Sequence, residues 1–300
     1  MSTPANAIVP SASTGLLLPA VFVPLWSSGF VLARLVAPHA EPLTFLAVRF
    51  FLAFLALAAI ALWKGAAWPR SRREWRQALL AGVLIHGVYL GGVFWSVANG
   101  LPTAISALMA GMQPLLVTLL AGRVLGERMS RRGAIGIVIG AVGTLVTLAP
   151  KLGATDAGGI PLVPLLVCLA GVLAITTGSI LVKRTKITAD PLTNTAVQYI
   201  GALVPTAVLV PFVGGPGFDT AAVPLWIGLA WSVFGMSLGA ILLLLHMIRR
   251  GALSKVSSLF FLVPGVSALM AWIGFGESLT IVQIAGLSIA TLGVSLASRG

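Results

Sequence analysis

His86, Tyr89 and Ser96 are the residues of this chain whose types and spacing most readily do chemistry. They stand at i, i+3 and i+10 in the apolar run 77–99, so at helical periodicity they share one face. Val88, Gly91 and Trp95 fall on the opposite face, an ordinary packing surface. His86 is the tenth residue of the run, and a rise of about 1.5 Å per residue puts it near the middle. A neutral imidazole both donates and accepts, which suits a zwitterionic ligand. The competing reading is a buried histidine satisfied by a neighbouring helix. Other apolar runs carry Trp26, Ser27 and Ser28, Thr176 and Thr177, Gln198 and Tyr199, Trp231, and Ser257 and Ser258. Hydroxyls in such runs more often tie helices together than bind ligands. As a set, His86, Tyr89, Trp26, Ser28, Tyr199, Trp231, Ser257 and Ser258 are the candidate ligand-binding residues.

The charged residues narrow the chemistry further. All seven carboxylates (Glu41, Glu74, Glu127, Asp156, Asp190, Asp219 and Glu277) fall between apolar runs or at their ends. Ionisable groups in mid-membrane mark proton and ion relays, and no carboxylate is placed for that role. Glu127 and Glu277 are read as partners of the macrodipole of the helix that follows each. Arg49, about seven residues into the run 43–63, either snorkels outward or pairs with Glu41 to close that end as a gate. Pro114 and Pro264 sit within helical patterns and are hinge candidates, because an internal proline frees a carbonyl and bends the axis. An enzyme would need a metal set or an activated nucleophile. There is no H-E-x-x-H pattern, and the three histidines, His39, His86 and His246, lie on separate segments. No metal and no cofactor are expected, and the single cysteine, Cys168, rules out an internal disulfide.

The elements that carry these residues are membrane spans. Hydrophobic residues make up 58% and charged residues 9% of the 300, with mean hydropathy +1.04, where a soluble domain has roughly a quarter charged residues. Cutting the chain into runs of about 20 apolar residues predicts ten helices: 15–37, 43–63, 77–99, 103–122, 133–149, 160–182, 193–212, 223–245, 254–275 and 280–297. Residues 1–14 read as a disordered cytoplasmic tail.

Basic residues agree with that division. Alternate loops hold Lys64, Arg70, Arg72, Arg73 and Arg76; Arg123, Arg128, Arg131 and Arg132; Lys183, Arg184 and Lys186; and Arg249, Arg250 and Lys255, with Arg299 at the end. Only Lys151 lies in a loop on the other side. The positive-inside bias then predicts a multi-pass protein of the plasma membrane (the inner membrane in a bacterium) with both termini cytoplasmic. It also accounts for the net charge of +12 without a nucleic-acid partner.

The chain also repeats itself. A shift of 150 carries Pro114 onto Pro264, Gly126-Glu127 onto Gly276-Glu277, Gly136 onto Gly286 and Gly143 onto Gly293. A shift of 149 carries Glu41-Pro42-Leu43-Thr44 onto Asp190-Pro191-Leu192-Thr193. Two units follow, 15–150 and 151–300, with five helices each. Five is odd, so the second unit must lie inverted relative to the first. The expected fold is an all-α integral membrane protein of ten transmembrane helices in two inverted five-helix repeats. Such repeats commonly work by alternating access around a site near the midplane. Gly136 and Gly140, matched by Gly286 and Ala290, form small-residue faces that should pack spans five and ten together within one bundle.

The Gly-Glu turn after a proline-containing helix, present in both halves, resembles the drug/metabolite transporter superfamily, as does the tail Phe275-Gly276-Glu277, Gln283, Gly286, Gly293. Within it the chain resembles the ten-helix EamA-type exporters, and among these the aromatic amino-acid exporter branch. The resemblance implies export of amino acids, with aromatic and other apolar side chains preferred. Small multidrug relatives use a glutamate in the first span; here that span has none, which argues against the same coupling. A gradient-driven facilitator is expected, a monomer or else a dimer, whose partners are the lipid bilayer and a small-molecule substrate. The alternatives are export of other small metabolites or drugs and, from a different class, an intramembrane enzyme.

Overall fold

The computed structural model describes residues 12–125, 130–151, 159–184, 188–213, 217–243, 260 and 262–298. Ser257, Ser258, Glu127, Asp156, His246 and the cations Arg128, Lys186, Arg249, Arg250, Lys255 and Arg299 lie outside these residues, as does nearly all of the N-terminal tail. Within the described residues the helices are α1 (Ala12–Val36), α2 (Pro42–Trp63), α3 (Arg72–Ala98), α4 (Thr103–Gly111), α5 (Gln113–Leu125) and α6 (Arg131–Leu148). They continue as α7 (Leu162–Arg184), α8 (Pro191–Phe212), α9 (Val223–Leu243), α10 (Val263–Phe275) and α11 (Ile281–Ser298). Six helical segments are long and apolar enough to cross a membrane: α2, α3, α6, α7, α8 and α9. Four shorter apolar segments, Ala20–Val36, Thr103–Val117, Val263–Phe275 and Ile281–Leu296, accompany them.

The local reasons for these elements are visible at their ends. Glu41 caps α2 by accepting from the backbone N–H groups of Leu43 and Thr44 at 2.9 and 2.6 Å, with Pro42 in the first turn. Asp190 and Pro191 start α8 in the same way, the carboxylate accepting from Leu192 N–H at 2.8 Å. Ser71 and Glu74 form a reciprocal capping box at the start of α3.

The exterior is unlike that of a soluble protein. Val138, Phe234 and Ile273 are more than 60% exposed, while Ser27, Ser106, Thr176 and Ser237 are fully enclosed. An apolar exterior around buried hydroxyls is what hydrocarbon solvent selects, because lipid cannot satisfy a polar group.

Loop contacts define two ends of the bundle. At one end, Glu41 N–H donates to Gly217 C=O at 2.8 Å and Asp219 N–H to His39 C=O at 2.9 Å. Arg34, Gly100–Pro102 and Glu277 share this end. At the other, Asp190 N–H donates to Ala67 C=O at 2.9 Å, and the Thr193 hydroxyl joins it at 2.6 Å. There Glu74 also accepts from the Thr188 hydroxyl at 2.6 Å and from its N–H at 3.1 Å.

The Thr188 hydroxyl, with backbone donors from Arg70, Thr188 and Ser71, holds the Glu74 carboxyl down at about 2. A depressed carboxyl stabilises the fold above its unfolded pKa, and that contribution disappears as pH falls through the folded value. Detergent-solubilised protein is therefore expected to lose thermal stability between about pH 5 and pH 2 more steeply than the Glu74→Gln variant. The difference is small, because the pair sits at the surface. Parallel pH profiles would remove the link from Glu74 to the Thr188 segment.

Glu277 acts differently from the sequence expectation. Its two oxygens accept from the Thr103 hydroxyl and Thr103 N–H, both at 2.9 Å, and so cap α4 rather than the helix that follows Glu277. Arg34 Nε lies 4.0 Å away. The following helix, α11, is started instead by Gln283 and Thr280, which exchange bonds of 3.0 and 3.2 Å. The expected packing of spans five and ten is present within the chain. The backbones of α6 and α11 meet where Gly143 lies against Ala290, Gly286 against Thr147 and Gly293 against Gly140, with no room for a side chain at any of them.

Candidate substrate cavity

Two of the helices change pitch where they pass the middle of the bundle. Val83–Val88 of α3 and Trp231–Ala240 of α9 are π-helical. A π turn carries one more residue than an α turn and re-aims the side chains around it, a device common at functional sites. Between these stretches lies a cavity of about 100 Å³. Trp26 and Phe30 of α1, Arg49 of α2, and His86 and Tyr89 of α3 line one part of it; Ile175, Tyr199 and Met236, from α7, α8 and α9, line the other. Among the described residues no carboxylate lines it. A smaller apolar recess, sharing Trp26, Phe30, Tyr89 and Ile175 with the cavity, reaches Gln113 and Pro114.

Close helix contact sets the polar groups. Gly82 of α3 lies directly against the Gln198 backbone of α8, and Gly201 of α8 against that of Leu79. This crossing sets the Gln198 side chain beside His86. The His86 ring stacks on Tyr199 with centroids 4.6 Å apart and planes 19° apart, and Phe50 lies 5.9 Å from Tyr199. Arg49 is buried at 4% exposure; its Nε donates to Ser237 Oγ at 3.3 Å, and the Tyr199 side chain lies beside it. An ordered strip of Gln198, His86, Tyr199, Arg49 and Ser237 thus crosses the wall.

The sequence candidates divide into those brought together and those kept apart. His86, Tyr89, Trp26 and Tyr199 line the cavity. Ser28 and Trp231 do not: Trp231 is 45% exposed, and its Nε1 donates to Ser28 Oγ at 2.8 Å. Ser28 itself donates to Leu25 C=O at 2.7 Å, so this pair ties α1 to α9. Ser96 shares the expected stripe only in sequence; its hydroxyl donates to Pro164 C=O at 2.7 Å. Thr176 and Thr177 bond back to carbonyls of their own helix.

Arg49 corrects both alternatives offered for it. It neither snorkels nor meets Glu41, whose oxygens are engaged at the start of α2; it faces the cavity. The two prolines differ from each other: Pro114 lies within the apolar segment Thr103–Val117, two residues after its break at Met112, while Pro264 lies in the first turn of α10, packed on Gly111. Ser237 and Met236 escaped the sequence reading. One signal could have found this wall: the shift that aligns Glu41 with Asp190 also carries Arg49 onto Gln198, the two polar side chains that reach the π stretches.

An apolar-coated helical bundle with a polar-spotted cavity at its middle defines a multi-pass membrane protein, and a small molecule is what such a cavity can hold. The chain belongs to the EamA-like transporter family, whose profile matches residues 13–149 and again 162–299. It is 27% identical to the uncharacterized transporter YvbV of Bacillus subtilis (strain 168) over 96% of this chain and 92% of the relative. It is 25% identical to the chloroplastic WAT1-related protein At3g02690 of Arabidopsis thaliana, over 90% of this chain and 66% of that protein. A second Bacillus subtilis protein, the uncharacterized transporter YyaM, is 25% identical over 90% of this chain and 88% of its own. A solved crystal structure superposes with a TM-score of 0.64 at 18% identity, covering 95% and 97% of the two chains, a likeness of fold.

Proposed function

We propose that this transporter exports amino acids, preferring aromatic and other apolar side chains, by alternating access between units 15–150 and 151–300. The observation that carries the proposal is the cavity, in which aromatic faces and a few polar groups come from both units. Support for inverted units comes from the ends of the bundle. The loop bearing Glu41 meets residues 217–219, and the repeat-related loop bearing Asp190 meets residues 67–74 at the opposite end. The double family match supports the same division. The basic loops favour cytoplasmic termini in a plasma membrane, and Pro114, at a helix break, remains the hinge candidate in this reading. An apolar pocket discriminates weakly, a methylene changing binding by only about 1–3 kcal/mol, so several apolar amino acids should share the path.

Purified protein in liposomes is expected to catalyse counterflow of labelled phenylalanine. His86→Gln and Tyr89→Phe should each slow it by about 10-fold or more, the worth of one buried polar contact, with little change in melting temperature. Normal counterflow in both variants would reduce the third-helix stripe to packing. Counterflow of other metabolites or of drugs without phenylalanine would replace the substrate assignment.

A further inference from the structure

Arg49 is a buried cation, and none of its identified partners carries a negative charge. Ser237 and Tyr199 offer it neutral hydroxyls. Glu41, eight residues before it, is about 12 Å away along the helix and is engaged by Leu43 and Thr44. An ion pair within 4.0 Å joins Arg34 to Glu277, far from Arg49 at the bundle end. Burying a charge without its opposite is costly, and proteins seldom do so without a ligand or a partner. Here the guanidinium borders the cavity, and Trp26, Phe30 and Tyr89 supply apolar surface in the same space. A planar guanidinium matches a carboxylate through two parallel N–H···O bonds, a geometry that Lys does not reproduce.

We infer that Arg49 anchors the carboxylate of the transported molecule, and that an apolar body plus a carboxylate, rather than an ammonium, defines the substrate class. The second half follows from the lining: among the described residues no carboxylate lines the cavity to pair with an ammonium, while Arg49 repels it. Ser237 and Tyr199 position the guanidinium, and the π stretch of α9 delivers Ser237 to it. The inference rests on this cavity being the transport site.

The test uses wild-type full-length protein in detergent and reads ligand-induced shifts of melting temperature with phenylalanine, phenylpropionate (the carboxylate without the amine) and phenethylamine (the amine without the carboxylate). The two carboxylates are expected to bind with comparable affinity, and phenethylamine at least about 10-fold more weakly, which is the loss of one charge-assisted contact. Arg49→Gln should abolish the carboxylate shifts, and Arg49→Lys should retain a weakened one. Should Arg49→Gln fail to fold, the order of the three ligands on the wild type decides alone. Equal stabilisation by phenethylamine, no stabilisation by either carboxylate, or a wild-type response from folded Arg49→Gln would overturn the inference. Phenylpropionate binding without phenylalanine counterflow would keep the anchor and discard the amino-acid assignment. Phenylalanine counterflow that survives in Arg49→Gln would do the reverse.

Discussion

Gly201→Ala is expected to lower the melting temperature of the purified protein by several degrees, and Gly201→Leu to leave little protein that elutes as a single species. A β-carbon at Gly201 would overlap the Leu79 carbonyl across the α3–α8 crossing, and one at Gly82 would overlap that of Gln198. Backbone cannot swing away as a side chain does, so the helices must part along the crossing. Overpacking of this kind costs about 1–3 kcal/mol in soluble cores, where side chains can still adjust. A helix pair held by close backbone contact has less room to relax, since small residues are what let membrane helices approach. Gly265→Ala and Gly274→Ala are the controls, because no described residue lies within 4 Å of a β-carbon at either position. Size-exclusion chromatography after graded heating separates the cases. A Gly201→Ala protein as stable as the controls would mean that the crossing is looser than described. The effect should reach function as well, because the same contact holds Gln198 against His86.

That crossing marks the boundary of what could be read from the chain alone. Helix starts were legible because they are local: Glu41-Pro42 and Asp190-Pro191 carry cap and first turn within two residues, and their repetition pointed to two related units. The α6–α11 contact was legible because Gly136 and Gly140, and again Gly286 and Ala290, stand at the four-residue spacing of a packing face. His86 and Tyr89 were found because a polar stripe in an apolar helix is conspicuous.

Long-range features were not legible in the same way. Glu277 caps a helix 174 residues away, and no local pattern announces a partner at that distance. Trp231 stands at the head of a π stretch, so α-helical counting gives no sound guide to where the side chains of that stretch point. Arg49 looked like an end-of-helix cation because depth was judged from sequence position alone, whereas its burial is created by α8 and α9 closing over it. Charge patterns report on membrane sides, but the direction in which a single cation faces depends on partners from the other half of the chain.

Phenylalanine efflux and counterflow are expected to run at full rate in liposomes with neither a pH gradient nor a membrane potential. A proton-coupled antiporter needs a group that binds a proton and the substrate in alternation, and a carboxylate in mid-membrane is the common solution. Among the described residues the cavity lining has none, and Glu41, Glu74 and Glu277 are all engaged at the bundle ends. His86 is the imidazole that borders the cavity among the described residues, and it is already stacked on Tyr199. A zwitterion carries no net charge, so the potential does no work on it, whereas moving one elementary charge through 100 mV is worth about 2.3 kcal/mol. The comparison can therefore be made inside one experiment. Phenylalanine flux should ignore an imposed potassium-diffusion potential, and phenylpropionate flux, which moves a negative charge, should follow it with up to about 50-fold accumulation at 100 mV. Net phenylalanine flux that demands a proton gradient in the wild type, and loses that demand in His86→Ala, would show His86 to be a coupling site and would end the facilitator reading.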